Sequence, residues 1–530
     1  MRRPTESRGF GSAKLNALAM ASGTLVSRLS GLLRLLALAY ALGIGPFSDS
    51  FNLANNTPNI IYDLLLGGII SASILPVFVG HLAKKDDRAA WKAISSIFSV
   101  GLVLLVVGTI LFEFAAPGII HLYLIVNHTK IASQQQRVAT LLLRFFAPQL
   151  LFYGLIALVT AILNARSIFA PPAYAPVVNN VIAIAVFLTF SALKKSLELG
   201  TIHAFSLPVL LLGLGTTAGV ALQFLFLVPY LQKARARLSF TPQFRNPAIK
   251  EIRSISGWTI GFVIANQVAL FSVLAIADGS LPGTVSAYSY GYIFFQLPYG
   301  VAAYSIMTAI MPELAHSYSR GEIERYKKRL GMGLRSSVTI MIPAALAYLA
   351  IARPLLTLLL AHGAVNSTGV ELTTRTLQGF AWGLPGFAGY LAVVQAYQSI
   401  KDTKIVFFLY IIENGSNIAL AILLHHLYGA FGLALSLSIA YSVAFAIGLG
   451  TLARRGLAPA RSAILRPWFN SLAASVAMYA VLRILISRIG VSTGLHLLLQ
   501  VILEVVVGAV VFALVALVGA QIDSLTDRSQ

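Results

Sequence analysis

Residues 15–43 read LNALAMASGTLVSRLSGLLRLLALAYALG, an apolar run long enough to cross a membrane as a helix. Two arginines, Arg28 and Arg34, interrupt this run near its middle, and it contains no Asp or Glu. A charged side chain at the centre of a membrane helix costs about 2.5–3.5 kcal/mol on insertion scales and is rarely kept without a use. The stretch therefore predicts both a membrane fold and a functional site.

The whole chain has the composition of this first segment. Of its 530 residues, 57% are hydrophobic and 11% are charged, and the mean hydropathy is +0.81. These values are typical of an all-α polytopic membrane protein. We predict about fourteen transmembrane helices, at residues 16–42, 50–80, 93–116, 139–163, 171–192, 205–230, 256–278, 284–311, 335–361, 374–397, 404–424, 429–452, 467–487 and 496–521.

The strong positive charge is explained by membrane topology. The formal net charge is +21. When loops are assigned alternately to the two sides with the N-terminus inside, most of the 39 Lys and Arg residues fall inside. This bias follows the positive-inside rule, and it predicts two cytoplasmic termini and an even number of spans. Basic loops also contact anionic lipid heads, so we expect no nucleic-acid partner.

Several classes of chemistry are disfavoured. The chain has no Cys, which excludes disulfides and thiolate catalysis. Its nine His residues show no metal-ligand spacing, and no Gly-Lys dipeptide of a phosphate-binding loop occurs. We therefore predict a transporter rather than an enzyme, with no catalytic residue, no metal and no cofactor.

A polar segment divides the chain. We predict an N-lobe of six helices at 1–230, a cytoplasmic linker at 231–255, a C-lobe of six helices at 256–453, and two final helices with a short tail at 454–530. Pro58 and Pro298 stand at similar places in the two lobes. This weak self-similarity is typical of transporters built from two related halves, although chance resemblance between membrane helices remains the alternative.

Polar residues share one face of the first predicted helix. Ser27, Ser30, Gly31 and Arg34 recur at helical spacing, and Arg28 borders them. Because contact with lipid would be costly, we expect this face to meet protein or a water-filled cavity.

The second predicted helix offers a matching wall. Its polar residues lie at i, i+3, i+4, i+7 and i+11, namely Asn52, Asn55, Asn56, Asn59 and Asp63. Asp49 precedes them in the outer turn, and Pro58 predicts a kink. Two facing polar stripes predict an aqueous cavity. The alternatives are a polar zipper that only joins the helices, or an Arg34–Asp63 salt bridge, which could also act as a gate.

These residue types suit a particular substrate chemistry. Guanidinium groups bind phosphate in a fork, and Asn side chains suit sugar hydroxyls and amides. A substrate with a phosphate anion and a sugar-peptide head matches both. Glu413 and Asn417 could form a cation or gating site in the second lobe, with structural pairing as the alternative. The predicted substrate-binding residues are Ser27, Arg28, Arg34, Asp49, Asn52, Asn55, Asn59 and Asp63.

Three stretches carry a resemblance to a known family. They read SRLSGLLR at 27–34, GPFSDSFNLANNTPNIIYDLLLGG at 45–68 and LPYGVAAYSIMTAIMPELA at 297–315. With other segments they resemble the MviN/MurJ family of lipid II flippases over about residues 15–520, within the multidrug/oligosaccharidyl-lipid/polysaccharide exporter superfamily. The resemblance implies fourteen helices, in two six-helix lobes around a central cavity, with a final pair lining a groove for the lipid tail.

The resemblance extends to single site residues. Ser27, Arg28, Arg34 and Asp49 match positions that the family is thought to use in its cavity. The better-known members carry arginines where this chain has Tyr62, Asp63 and Ile293, so the cavity expected here is less basic.

The resemblance also implies a function. It is the movement of lipid II, the undecaprenyl-pyrophosphate-linked peptidoglycan precursor, from the inner to the outer leaflet of a bacterial cytoplasmic membrane by alternating access. The expected drive is membrane potential, H⁺ or Na⁺. The expected partners are lipid II, membrane lipids and the cell-wall synthesis machinery. The alternatives are a flippase for another polyprenyl-linked glycan of capsule or O-antigen type, a cation-coupled drug exporter, and a non-transporting scaffold.

Overall fold

The structure is a computed structural model. It describes residues 7–62, 74–82, 86–127, 129, 131–194, 198–201, 206–247, 249, 257–490 and 492–528. Within these ranges the regular elements are all helical. The chain forms two compact units, Met1–Gln267 and Val268–Gln530, and the boundary falls inside one helix.

In its described residues, the first unit contains eight helices and the start of a ninth. These are α1 (Ser7–Leu42), α2 (Pro46–Tyr62), α3 (Leu75–Leu82), α4 (Asp87–Tyr123), α5 (Ala132–Phe146), α6 (Pro148–Ala165), α7 (Ala170–Leu193), α8 (Leu207–Lys233) and α9 (Gly257–Asp278).

In its described residues, the second unit contains the rest of α9 and eight further helices. These are α10 (Thr284–Pro298), α11 (Tyr304–Ser319), α12 (Ile323–Leu360), α13 (Ser367–Ala381), α14 (Leu384–Ser399), α15 (Thr403–Arg454), α16 (Arg461–Ile489) and α17 (Gly494–Arg528). A five-residue π-helical turn, Tyr299–Ala303, follows Pro298 and joins α10 to α11.

The membrane character of the fold is confirmed, whereas the count of fourteen spans stays a prediction. Ten of the described helices are long and apolar enough to cross a membrane, or eleven if the bent pair α13–α14 is one span. The two predicted helices at 404–424 and 429–452 are the two arms of α15, which Gly429 breaks with φ 57° and ψ −134°. The chain turns back at this break, because the Ser436 hydroxyl of the second arm donates to the Asn417 side chain of the first at 2.9 Å. Each arm is long enough for one span.

Aromatic packing orients α2 and leaves its polar face available. Phe51 contacts Phe146 of α5 and Phe187 of α7 edge-on, at ring-centroid distances of 5.5 and 5.8 Å. Phe47, one turn earlier, stacks on Phe190 at 6.0 Å. Because these two aromatic residues lie on one side of the helix, the Asn residues at 52, 55 and 59 lie on a different side.

The first part of the predicted linker is attached to α4 by three serines. The Ser95 hydroxyl accepts from the Ser239 backbone N–H at 3.1 Å and donates to the Arg237 carbonyl at 3.3 Å. Ser99 repeats this pattern, accepting from the Thr241 N–H at 2.9 Å and donating to the Ser239 carbonyl at 3.3 Å. Ser96 donates to the Gln243 carbonyl at 3.3 Å. We call residues 237–243 the strap. Backbone groups of the strap thus form hydrogen bonds with serine side chains of α4, where an extended segment would otherwise need a neighbouring strand.

Small residues bring α13 and α14 close to α15 in the second unit. A Cβ added at Gly379 would lie 2.5 Å from the Phe431 carbonyl oxygen. A Cβ at Gly383 would lie 2.5 Å from the Ser438 hydroxyl. The Ser438 hydroxyl in turn donates to the Gly379 carbonyl at 2.8 Å. Such close approach of backbones is how membrane helices gain packing energy.

Candidate functional site

The polar stripe of α1 lies against α7. The Asn180 side-chain amide donates to the Ser30 hydroxyl at 2.9 Å and to the Ser27 carbonyl at 3.3 Å. Gly31 faces the same Asn180, since a Cβ added there would lie 3.7 Å from that amide nitrogen. The described part of this stripe is therefore a polar contact between two helices at Ser27, Ser30 and Gly31.

Arg34 joins a different group of side chains. It lies near the Tyr153 hydroxyl of α6, close enough for an electrostatic interaction, and the same hydroxyl is hydrogen-bonded to the Asn59 side chain of α2. The Tyr62 and Tyr153 rings lie 6.2 Å apart between centroids. Arg34, Asn59, Tyr62 and Tyr153 are each partly exposed. We call these four residues the arginine–tyrosine cluster.

Arg28 is on another side of α1. It is exposed, as are Leu25 and Leu29 beside it. Arg34 follows Arg28 by six positions, which places the two side chains about 120° apart around the helix. The structure thus does not gather the two arginines at one point of α1, and Arg28 is exposed.

The remaining residues predicted on α2 differ in burial. Asp49 is buried in the first turn, where a carboxylate interacts favourably with the positive end of the helix. Asn52 is also buried and donates to the Ser48 carbonyl at 2.9 Å. Asn55 is partly exposed, and its carbonyl accepts from the Asn59 amide at 3.4 Å. Asp63 lies outside the described residues, so the Arg34–Asp63 pair stays a prediction.

Glu413 lies in an aromatic environment in the second unit. Its side chain is 2% exposed, and no described Lys or Arg lies within ion-pair distance of it. Its charge is close enough to interact with five tyrosine hydroxyls, those of Tyr288, Tyr292, Tyr390, Tyr410 and Tyr441. One turn further along α15, the buried Asn417 accepts from the Ser436 hydroxyl at 2.9 Å. We call Glu413 and the five tyrosines the glutamate–tyrosine cluster.

The two clusters suit ligands of opposite charge. The arginine–tyrosine cluster offers a guanidinium, an amide and two aromatic rings, a set that binds phosphate and sugar groups. The glutamate–tyrosine cluster offers one carboxylate and neutral hydroxyl oxygens, which suit a proton or a monovalent cation. Among the described residues, no three His, Asp or Glu side chains lie together in a way that could hold a metal ion.

Sequence reasoning missed three features of these sites. Tyr153 stands in an apolar segment with no polar periodicity, so nothing in the sequence separates it from packing aromatics. Asn180 belongs to an Asn-Asn pair inside an apolar segment. Because burying amide groups in a membrane helix costs free energy unless they are hydrogen-bonded, this pair could have predicted a polar contact with another helix. The five tyrosines come from α10, α14 and α15, and only the tertiary fold brings them together.

Comparisons with known families point to one family over nearly the whole chain. The model of the family described as lipid II flippase MurJ matches residues 38–504. A probable lipid II flippase MurJ of Vibrio cholerae is 27% identical over 421 residues, covering 78% of each chain. A probable lipid II flippase MurJ of Rhizobium tropici is 27% identical over 443 residues, covering 83% of this chain and 80% of the relative.

Solved structures support the same fold. A lipid II flippase MurJ in an inward closed conformation superposes with a TM-score of 0.77 at 21% identity, covering 94% of this chain and 98% of that one. An inward-facing multidrug resistance transporter of the MATE family superposes with a TM-score of 0.67 at 14% identity, covering 80% of this chain and 94% of that one. At such identities these likenesses establish the architecture only.

Proposed function

This chain belongs to the MurJ family of lipid II flippases, and we propose on that premise that it carries lipid II across the cytoplasmic membrane of a bacterium. The family match over residues 38–504 is the observation on which the proposal rests. As a member of a flippase family the chain is an integral membrane transporter of peptidoglycan synthesis and not an enzyme. The direction that we propose is from the inner to the outer leaflet, as the family resemblance implies, and the distribution of basic loops predicts that both termini are cytoplasmic.

The arginine–tyrosine cluster is the proposed contact for the head group. The Arg34 guanidinium binds a phosphate oxygen pair, and Asn59 hydrogen-bonds sugar or peptide groups. Tyr153 interacts with both Arg34 and Asn59, and so it limits the positions that these two side chains can take. Tyr62 and Tyr153 add aromatic surface in place of the one or two arginines that better-known members carry where this chain has Tyr62 and Asp63.

The other predicted substrate residues have supporting roles in this proposal. Asn55 extends the polar face of α2 beyond Asn59, and buried Asp49 and Asn52 fix the outer end of that helix. Ser27 contributes its carbonyl to the Asn180 contact, which sets the rotation of α1 and thereby the direction of Arg34. Arg28, being exposed on another side, makes the first contact with the phosphate as the lipid arrives from the membrane. Asp63 completes the set as a gate partner of Arg34.

Transport proceeds by alternating access to the two sides of the membrane. The polyprenyl tail stays in lipid along α16 and α17 while the head group crosses. An inside-negative potential favours outward movement of an anion by about 2.3 kcal/mol per charge per 100 mV. Glu413 and Asn417 form a second, cation-responsive site, at which binding of H⁺ or Na⁺ returns the empty protein to its starting state.

Reconstituted vesicles test this function. Purified protein in liposomes should move fluorescently labelled lipid II between leaflets faster than protein-free liposomes do. The Arg34→Ala variant should lose this activity, whereas Arg320→Ala, which removes an exposed cation outside both clusters, should retain it. Equal rates with and without protein would contradict transport and favour a scaffold for cell-wall assembly.

One observation favours a second candidate function. Position 62 is a tyrosine in the arginine–tyrosine cluster. Better-known members carry one or two arginines where this chain has Tyr62 and Asp63, so the cluster has less positive charge for a pyrophosphate. A flippase for another polyprenyl-linked glycan would fit such a cluster. Competition between labelled lipid II and capsule-type or O-antigen-type lipid-linked sugars, in the same liposomes, separates the two candidates.

A further inference from the structure

A cavity with basic walls lies between the first turns of α12 and the start of α16, remote from both clusters in sequence. Its volume is about 580 Å³, within the range of about 300–1,000 Å³ that is usual for small-molecule sites. The α12 side is formed by Lys327, Lys328, Met332 and Arg335, and the opposite side by Pro459 and Ala463. None of these residues belongs to the arginine–tyrosine cluster or to the glutamate–tyrosine cluster.

The charges of this cavity are unbalanced. Lys327 is paired with Glu324 at 2.7 Å, so the only acid in the lining is already engaged. Lys328 and Arg335 also line the cavity, and no described Asp or Glu lies within ion-pair distance of either. Seven residues apart on α12, they project on the same side of the helix. Two exposed cations therefore line one open cavity, and no described protein anion balances them.

Close packing joins the two walls of the cavity. A Cβ added at Gly331 would lie 2.9 Å from the Pro459 Cβ, so α12 touches the loop before α16 at that point. Gly331 is buried, and both residues line the cavity. The cavity is therefore bounded by two elements of the second unit that pack directly against each other.

We propose that this cavity binds a phosphate group carried by a ligand of the cytoplasmic leaflet or the cytoplasm. Phosphate is the common anion that combines a compact charge with several acceptor oxygens, and it is bound by Arg in a fork and by Lys as a point charge. An anionic phospholipid head group and free phosphate share this chemistry. The basic loops around the cavity predict that it lies on the cytoplasmic side.

The absence of Cys from the chain allows a clean binding test. An environment-sensitive fluorophore attached to Ala460→Cys, at the cavity rim, reports occupancy in purified full-length protein. Phosphatidylglycerol titrated into phosphatidylcholine nanodiscs should give a saturable signal. When Lys328→Ala/Arg335→Ala is added to the labelled protein, half-saturation should require at least about tenfold more phosphatidylglycerol, because both charged contacts are lost.

Two further variants make the result decisive. Ala463→Trp fills the cavity from an exposed position without changing any charge, and it should weaken binding to a similar extent. Arg320→Ala/Lys404→Ala removes two exposed cations outside the cavity, and it should bind as the parent does. A signal with inorganic phosphate in plain phosphatidylcholine would support the site and identify a soluble ligand. Binding unchanged in both cavity variants, or lost equally in the control pair, would overturn the proposal.

Discussion

The two units each contain an ionisable cluster built around tyrosines, and the clusters differ in charge and in access. In the first unit, Arg34 stands with Tyr62, Tyr153 and Asn59, all partly exposed. In the second unit, Glu413 is 2% exposed and lies close enough to five tyrosine hydroxyls to interact with them electrostatically. An accessible cation can receive a large anionic head group, whereas an enclosed carboxylate admits only a proton or a small cation. This difference supports the proposal that the first unit binds the substrate and that the second unit binds the coupling cation.

The largest effect is expected from removing the guanidinium groups of α1. Arg34→Ala should lower lipid II translocation at least about 30-fold, because losing one partner of a desolvated charge pair costs about 2 kcal/mol or more. Arg28→Ala should abolish rescue of a flippase-depleted cell, while Arg28→Lys and Arg34→Lys should retain part of the activity. Liposome assays and rescue assays measure these outcomes. Normal rescue by Arg28→Ala would remove Arg28 from the mechanism and leave Arg34 as the only phosphate contact.

Glu413→Gln should reduce turnover about tenfold while leaving lipid II binding unchanged, because it removes the charge that a coupling cation needs and keeps the shape of the side chain. Asn417→Ala should act in the same direction, since it removes the acceptor of the Ser436 hydroxyl. The two readouts are translocation rate and lipid II affinity in detergent. Equal losses in both readouts would mean that the second unit binds substrate too, and the division between the units would fail.

The strap allows a test of whether its hydrogen bonds to Ser95 and Ser99 hold it against α4. Ser95→Val/Ser99→Val removes four hydrogen bonds to residues 237–241, each worth about 1 kcal/mol. Trypsin should then cut after Arg235 or Arg237 about tenfold faster or more, because local opening exposes the backbone. Ser272→Val, which loses only a bond to its own helix, serves as the control. Unchanged cleavage in the double variant would show that apolar contacts alone hold the strap.

Tyr153→Phe should have the smallest effect. It keeps the ring beside Tyr62 and removes the hydroxyl that interacts with Arg34 and Asn59. One neutral hydrogen bond is worth about 0.5–1.5 kcal/mol, so lipid II transport should fall about two- to tenfold. Tyr153→Leu, which also removes the ring, should fall further. Full activity in the Phe variant would show that Tyr153 contributes its ring only, and that Arg34 is positioned by other contacts.

The sequence predicted the membrane fold and the polar face of α2 because both depend on local periodicity. The apolar run at 15–43 forms the C-terminal part of α1, which ends at Leu42, and the Asn residues of α2 lie away from its aromatic packing side. Helical spacing also grouped Ser27, Ser30 and Gly31 correctly on one face. It could not say what that face meets, which is Asn180 of α7.

Contacts between distant segments were beyond such reasoning. Ser95, Ser96 and Ser99 look like ordinary polar residues of an apolar helix, and their partners lie about 140 residues away in the strap. The predicted linker was read from its composition, which indicates solvent exposure and cannot reveal hydrogen bonds to a helix. Tyr153 likewise gained its role only from neighbours on α1 and α2.

The most direct test of the account compares one substitution in each unit within a single experiment. Wild-type protein, Arg34→Ala and Glu413→Gln are reconstituted in liposomes with labelled lipid II, and both translocation rate and lipid II affinity are measured. We predict that Arg34→Ala loses affinity and rate together, whereas Glu413→Gln loses rate alone. Unchanged affinity in Arg34→Ala would contradict the claim that the arginine–tyrosine cluster holds the phosphorylated head group.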